Sequence, residues 1–136
     1  MFDFIEKNKK KLLYIPLVVY WIVLLSLTTL PGSDLPKTGI NDKIEHFSAY
    51  FFLGLLLSMT LLFQNKFLKI KKYFAFFAGF IIGLYAALDE IHQIFIPGRD
   101  CELFDWTADI IGAGIGILLI IFLLKIFQYG QNSQLD

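Results

Sequence analysis

The stretch LFDWTADIIGAGIGILLIIFLLKIF, from Leu103 to Phe127, carries no charge between Asp109 and Lys125. It is longer than the roughly 20 residues that a helix needs to cross a hydrocarbon core of about 30 Å. Its apolar residues do not alternate with the period of two that is typical of strands in a closed β-barrel. The stretch therefore predicts a transmembrane helix.

Three further long apolar stretches precede it, and short breaks separate all four. Pro31-Gly32 ends the first, Gln64-Asn65 ends the second, and Pro97-Gly98 forms a turn before the fourth. Hydrophobic residues make up 57% of the chain, above the roughly 45–50% of soluble domains. We expect residues 1–136 to form a single all-α domain, a polytopic membrane protein built as a bundle of four transmembrane helices. The expected helices cover about residues 12–30, 44–63, 73–96 and 103–127.

The first stretch follows a basic start, Lys9-Lys10-Lys11, as a secretion signal would. Its apolar run is longer than the about 7–15 residues of a signal peptide, and no A-x-A cleavage site follows it. We therefore expect a retained helix, with a slight kink at Pro16.

Lysine and arginine are unevenly distributed between the two sides of the predicted bundle. Nine of the twelve lie in the N-terminal segment, the second loop and the C-terminal end, and three lie in or beside the other loops, namely Lys37, Lys43 and Arg99. The side richer in basic residues is normally cytoplasmic. This predicts a multi-pass protein of the cell membrane with both termini in the cytoplasm and the first and third loops outside. Nine of the twelve acidic residues gather toward that outer end, which becomes electronegative.

Three helices carry an ionisable residue at a similar depth below the outer end. His46 lies about 7 Å inside the second helix, Glu90 about 10 Å before the end of the third, and Asp109 about 9 Å inside the fourth. Because short loops make these helices neighbours, we expect the three side chains to meet within the bundle.

Helical spacing places polar residues in pairs on single faces. The pairs are Asp42 with His46, Glu90 with Gln93, and Asp105 with Asp109. Glycines continue two of these faces, Gly79 and Gly83 on the third helix and Gly112 and Gly116 on the fourth. Small residues let transmembrane helices approach closely, so the polar faces are expected to be the packed, interior faces.

Several of these residues also have ordinary structural explanations. Asn41 or Asp42 is able to cap the second helix, with Glu45 as the acid of a capping box. The Lys43 side chain is able to reach lipid head groups.

The third loop is open to similar alternatives. Arg99 would either brace the turn or bind a lipid phosphate, and Asp100 and Glu102 are expected to be solvated loop charges. His46 and Glu90 lie deeper and are harder to explain structurally, because ionisable residues inside a membrane are costly.

The polar residues suggest acid–base chemistry more than metal or phosphate chemistry. His46 and Glu90 are the candidate catalytic pair, since a histidine and a carboxyl group are suited to exchanging protons near neutral pH. Zinc could in principle bind to His46, Glu90, Asp105 and Asp109. No His-x-x-x-His spacing supports this, so the sequence predicts no metal site and no cofactor. It also contains no nucleophile elbow, no phosphate-binding glycine loop and no basic surface for nucleic acid.

Motifs between Asp42 and Gly116 resemble those of the VanZ-like family of small membrane proteins. The matching pieces are Asp42-Lys43-x-x-His46-Phe47 with Tyr50, Asp89-Glu90-x-x-Gln93, Pro97-Gly98-Arg99, Asp105, and the glycines Gly112 and Gly116. The chain departs from the family at Asp109, where an asparagine is usual. The resemblance implies an integral membrane protein of about four helices, in a family whose founding member is associated with low-level resistance to the glycopeptide teicoplanin.

Three functions remain open at the level of sequence. The leading hypothesis is a protein that binds or acts on a membrane lipid or lipid-linked envelope precursor at the outer leaflet. The second is an intramembrane acid–base enzyme, and the third is a non-catalytic assembly or stability partner. A homo-oligomer is compatible with each, and no nucleic-acid partner is expected. The predicted ligand-binding residues are Asp42, Lys43, His46, Glu90, Gln93, Arg99, Asp105 and Asp109.

Overall fold

The protein is a bundle of four long helices. The computed structural model describes residues 2–36 and 39–132, which leaves Met1, Lys37, Thr38 and residues 133–136 outside the described part. Within the described ranges the chain is helical, without strands, and four helices are long and apolar enough to cross a membrane. This confirms the predicted all-α membrane architecture. The helices are α1 (Phe2–Lys9 and Ile15–Thr29, joined by a π-helical turn at Lys10–Tyr14), α2 (Asp42–Phe63), α3 (Phe74–Gln93) and α4 (Leu103–Asn132).

Helix α1 begins about ten residues before the predicted start. Its polar first segment follows the edge of the bundle, where the Lys9 ammonium donates to the Phe63 carbonyl oxygen at 3.1 Å and pairs with Glu6 at 2.7 Å. The π-helical turn ends at Tyr14, two residues before Pro16. A proline inside a helix lacks the N–H donor and displaces the carbonyl group four residues earlier, so this is where the regular helix is interrupted.

Three other features differ from the sequence prediction. Helix α4 continues to Asn132, five residues past the predicted end. Helix α3 ends at Gln93 rather than near residue 96, because the N–H groups of Phe95 and Ile96 donate to carbonyl oxygens only three residues back and form tight turns. The loop between α2 and α3 contains a five-residue helix, Leu68–Lys72. That segment is too short for hydrophobic periodicity to indicate it.

Helices α2 and α4 make the closest backbone approach in the bundle. A Cβ atom on Gly112 would collide with the carbonyl oxygen of Phe47, and Gly116 lies equally close to the α2 backbone. On the opposite helix, a Cβ atom on Gly54 would lie 2.6 Å from the Ala113 carbonyl oxygen. The predicted packing role of Gly112 and Gly116 is therefore what the structure shows.

Helix α3 packs through a face that differs by about one residue from the predicted one. Its buried residues are Ala78, Ile82, Ala86, Asp89, Glu90 and Gln93. Gly79 is exposed, and a Cβ atom there would meet only the Ile117 side chain at 3.9 Å, an ordinary packing distance. Larger side chains fill the space beside α3, so the prediction that Gly79 and Gly83 bring helices close together is wrong.

Helix α1 lies at the side of the bundle. Only 17% of its most apolar window is buried, against 33% for α2. Its attachments are few and specific: the Tyr20 hydroxyl donates to the Ala49 carbonyl oxygen at 2.8 Å, and the Trp21 ring meets Tyr85 edge-on at 5.2 Å. Most of α1 would therefore face lipid.

The α1–α2 loop and the α3–α4 loop meet at one end of the bundle, which we call the polar end. The Gly32 N–H donates to the Pro97 carbonyl oxygen at 3.0 Å. Gly98 has a φ of +72°, a conformation that favours glycine. A Cβ atom on Gly32 would collide with the Gly98 carbonyl group. The two turns thus fit together only because both residues are glycines.

Candidate functional site

The three residues predicted at similar depth come together below the polar end. His46 Nδ1 on α2 lies 3.0 Å from Asp109 Oδ1 on α4. One ring nitrogen of His46 and one carboxylate oxygen each of Glu90 and Asp109 all lie within 4.8 Å of one another. Asp109 is 0% exposed and Glu90 is 4% exposed. We call these three residues the buried triad.

Local sequence explains how the triad assembles. Asn41 caps α2, since its side chain accepts the Lys43 N–H at 3.0 Å, and this fixes where the helix begins. His46 then falls in the second turn, immediately before the Phe47 carbonyl that contacts Gly112. The glycine lets the two backbones approach, and Asp109 lies one turn before it on the same face of α4. Close helix packing therefore brings His46 and Asp109 into contact.

Lys43 organises a second polar group above the triad. Its ammonium contacts Asp105 and Glu102, the latter at 2.6 Å, and lies 3.6 Å from Asp42. Asp105 is buried, so Lys43 neutralises a carboxylate that would otherwise be costly. The structure thus shows Lys43 in ion pairs, and Glu102, which was expected to be only a solvated loop charge, is one of its partners.

Glu90 connects the triad to the α3–α4 loop. Its Oε2 atom accepts the Glu102 backbone N–H at 2.9 Å. Its Oε1 atom and Asp109 Oδ2 are buried and have no hydrogen-bond partner among the described residues. Buried polar atoms in native proteins are usually paired, so these two oxygens are candidates to bind a ligand or a proton.

A pocket of about 210 Å³ lies beside the triad at the polar end. Helix α1 and its loop contribute apolar lining, and α2, α3 and the third loop contribute polar lining. The lining residues are Leu24, Leu27, Thr28, Leu35, Pro36, Asp42, Glu45, His46, Ala49, Tyr50, Asp89, Gln93 and Arg99. Asp42, His46, Gln93 and Arg99 of the predicted site share this pocket, whereas Glu90, Asp105, Asp109 and Lys43 lie outside its lining. His46 belongs to both the pocket and the triad.

Arg99 has a structural task as well as a place in the pocket. Its Nη2 atom donates to the Leu27 carbonyl oxygen at 2.8 Å, and its Nε atom lies 3.5 Å from the Leu30 carbonyl oxygen. These contacts cap the end of α1, which is the bracing alternative considered from sequence. A guanidinium has five N–H donors, so these bonds leave donors for a ligand.

Asp89 and Tyr50 belong to the pocket although the sequence did not assign them to the site. The Tyr50 hydroxyl donates to Asp89 Oδ2 at 3.3 Å, and both residues are buried. Tyr50 lies one helical turn after His46, and Asp89 one turn before Gln93. That spacing was the available signal, and it became informative only once the buried face of α3 was known.

Cys101 lies in the α3–α4 loop and is exposed. Partial desolvation and the nearby Glu90 carboxylate raise the pKa of its thiol above the ordinary value. The thiol is therefore accessible to reagents but is mostly protonated at neutral pH, which argues against a reactive catalytic cysteine.

Comparison with known proteins gives one family match. The family model described as VanZ/LLP1 matches residues 9–125, which is most of the chain and includes the triad, the pocket and the Lys43 group. No curated protein and no solved structure matches the chain. The match agrees with the resemblance drawn from the polar motifs.

Proposed function

The chain belongs to the VanZ-like family, and we propose that it binds the polar head group of an envelope lipid or lipid-linked cell-wall precursor at the outer face of the cell membrane. The observation that carries this proposal is the pocket at the polar end. It joins apolar side chains of α1 to polar side chains of α2, α3 and the third loop. Such a lining suits a molecule with a hydrocarbon part and a polar part.

The sidedness of this proposal rests on the distribution of basic residues. Nine of the twelve lysines and arginines lie in the N-terminal segment, the α2–α3 loop and the C-terminal part of α4, away from the polar end. With the basic side in the cytoplasm, both termini and the α2–α3 loop are cytoplasmic, and the polar end faces outward. Envelope precursors in the outer leaflet would then be within reach of the pocket.

The chemistry of the pocket favours a head group that offers both hydrogen-bond donors and an anion. Asp42, Glu45 and Asp89 supply carboxylates that accept bonds from amine or hydroxyl groups. Arg99 and His46 supply donors suited to a phosphate. Phospholipids with amine or hydroxyl head groups and phosphate-linked sugars share this chemistry. A role in glycopeptide resistance, which the family name suggests, would follow if the ligand is a cell-wall precursor.

Lipid retention measured by native mass spectrometry tests the proposal. The purified chain would be offered phosphatidylglycerol, phosphatidylethanolamine and a polyprenyl-phosphate-linked sugar in separate detergent samples. We expect one of these lipids to be retained preferentially, and Gln93→Leu to lower its occupancy about tenfold because a buried polar contact is lost. Ser26→Ala is the matched control, since Ser26 is exposed on α1 and bonds only within its own helix in the described structure.

Two results would contradict head-group binding. One is equal retention of all three lipids by the wild-type protein. The other is an unchanged occupancy in both Gln93→Leu and His46→Ala when each variant elutes as a folded species. In either case the pocket would be a packing feature of the bundle.

An intramembrane acid–base enzyme is the second candidate, because His46 and Asp109 lie 3.0 Å apart with Glu90 beside them. Residues that exchange protons with a substrate need this kind of hydrogen-bonded arrangement. On this hypothesis Glu90→Gln would abolish turnover of the retained lipid while leaving its binding intact. Normal turnover in that variant would exclude Glu90 as the acid or base.

A further inference from the structure

The polar end buries more carboxylate groups than its bases neutralise. Asp89, Glu90, Asp105 and Asp109 are each no more than 4% exposed. Lys43 pairs with Asp105, whereas Asp109 meets the neutral or singly charged ring of His46 and Glu90 meets a backbone N–H. A buried carboxylate is costly unless it is paired, protonated or bound to a metal ion. With both acids ionised the triad is negatively charged even when His46 is protonated, and it lacks a compensating positive charge.

Two atoms indicate where a compensating positive charge would bind. Glu90 Oε1 and Asp109 Oδ2 are buried without a hydrogen-bond partner in the described part of the chain. Each belongs to a residue at least nine-tenths buried, and both residues already hold their other oxygen in place through a hydrogen bond. The carboxyl groups are thus oriented by their surroundings, while one oxygen on each is left for a ligand.

The spacing of the triad is close to that of a coordination shell. Around a tetrahedral cation with bonds of about 2.1 Å, neighbouring ligand atoms lie about 3.4 Å apart. The His46 to Asp109 contact is 3.0 Å, and all three candidate atoms lie within 4.8 Å of each other. Side-chain rotations that move the three ligand atoms by about an ångström would bring them to this spacing.

We propose that His46, Glu90 and Asp109 bind a divalent transition-metal cation. One imidazole and two carboxylates form a mixed nitrogen and oxygen ligand set. Such a set suits Zn²⁺ or Mn²⁺ better than it suits Ca²⁺, which prefers oxygen ligands alone. Three protein ligands leave at least one coordination position open. The ion would enter through the pocket, because His46 is 12% exposed there and Asp42 lies 3.9 Å from its other ring nitrogen.

A second arrangement, Asp42 with His46 and Asp105, has a similar spacing. It is a weaker candidate because the Lys43 ammonium already contacts both of its carboxylates. A cation there would have to displace a positive charge that is in place. The triad is the one of these two groups in which carboxylate oxygens have no such partner.

A cation in the triad also has a consequence for ligand choice, which rests on the proposed function. The carboxylates of Asp42, Glu45 and Asp89 would repel a phosphate approaching the pocket. A divalent cation behind His46 would offset that repulsion. Lipid retention should then fall when a chelator removes the ion.

Manganese binding to the full-length chain tests the site directly. After treatment with EDTA and its removal by gel filtration, the protein in detergent micelles would be titrated with Mn²⁺, and the free ion measured by electron paramagnetic resonance. We expect one ion per chain that Zn²⁺ displaces. Asp109→Asn and Glu90→Gln should each weaken binding at least tenfold, because each removes a charged ligand. Asp100→Asn should bind like the wild type, because this acid is exposed in the α3–α4 loop at the same end but outside the triad.

Failure of the wild-type chain to bind Mn²⁺ or Zn²⁺ would overturn the proposal whatever the variants do, and would leave protons as the means of neutralising the triad. Unchanged binding in folded Asp109→Asn and Glu90→Gln would overturn it as well. The lipid assay separates the two proposals. Retention that persists in EDTA supports head-group binding without the ion, and ion binding without lipid retention supports the metal site alone.

Discussion

At the scale of single residues, the position of the Lys43 ammonium determines which carboxylates of the polar end have their charge compensated. Its side chain is 37% exposed, yet its ammonium contacts Asp105, whose side chain is only 5% exposed. One partner of this pair thus lies at the surface and the other in the bundle. Removing the lysine would leave a buried negative charge without compensation, which is more damaging than losing an exposed ion pair.

Substitution of Lys43 by methionine is therefore expected to lower the free energy of unfolding by about 1–3 kcal/mol, less than for a fully buried pair because the lysine is partly exposed. The double variant Lys43→Met/Asp105→Leu should recover most of that loss. Unfolding in mixed detergent micelles, followed by tryptophan fluorescence, measures both. Glu102→Gln is the control and should change stability by less than about 1 kcal/mol. A double variant no more stable than Lys43→Met would contradict this account.

Contacts that depend only on the depth of a residue below the polar end were predicted correctly from the sequence. His46, Glu90 and Asp109 were expected to meet because each lies about two turns below the same end, and they do meet. Asp89 and Tyr50 were not assigned because their contact depends on the rotation of α3 about its axis. Sequence spacing gives that rotation only to within one residue, and one residue is about 100° around a helix.

At the scale of helices, the α2–α4 crossing depends on a few glycines. Gly112 is buried against the Phe47 carbonyl group. A Cβ atom on Gly114, in contrast, would meet none of the described residues within 4 Å apart from the nearby backbone of α4. The two positions are only two residues apart in sequence, which places them about 200° apart around α4. They form a natural pair for separating helix packing from helix propensity.

Gly112→Ala should destabilise the bundle by about 1–3 kcal/mol, because the added methyl group forces two backbones apart. Gly114→Ala should be neutral or stabilising by up to about 1 kcal/mol, because alanine favours the helix more than glycine. The same detergent unfolding assay compares them. Equal effects of the two substitutions would show that close approach at Gly112 does not contribute to stability.

The sequence predicts the number of long helices correctly, but it predicts where they begin and end less accurately. Four apolar stretches predict four helices because only helices and closed β-barrels satisfy backbone groups in lipid, and these stretches lack the period of two that barrel strands show. The early start of α1 depends on the contacts of Lys9 with the Phe63 carbonyl oxygen and of Glu6 with Asn65. The early end of α3 depends on turns at Phe95 and Ile96. Such contacts are tertiary, so local pattern does not contain them.

At the scale of the whole molecule, the expected orientation is open to a direct test. Cys101 is the chain's one cysteine and is exposed in the α3–α4 loop. A membrane-impermeant maleimide should label it in intact spheroplasts if the polar end faces outward. Because its pKa is raised, the reactive thiolate is scarce at neutral pH, so labelling should be faster at pH 8 than at pH 7.

The matched control moves the cysteine to the other end of the bundle. In a Cys101→Ser background, Asn65→Cys places an exposed thiol in the α2–α3 loop, and it should be labelled only after lysis. The reverse pattern, with Asn65→Cys accessible from outside and Cys101 protected, would invert the topology. The pocket would then face the cytoplasm, and ligands of the outer leaflet would be ruled out.

The peripheral position of α1 has a consequence for how a long-chain molecule would arrive. One wall of the pocket consists of α1 side chains, Leu24, Leu27 and Thr28, on the helix that is least buried. In a membrane, that wall would stand between the pocket and the acyl chains beside α1. A small outward tilt of α1 would create a lateral opening from the bilayer into the pocket. A lipid could then diffuse in the plane of the membrane and place its head group in the pocket while its acyl chains stay in the bilayer.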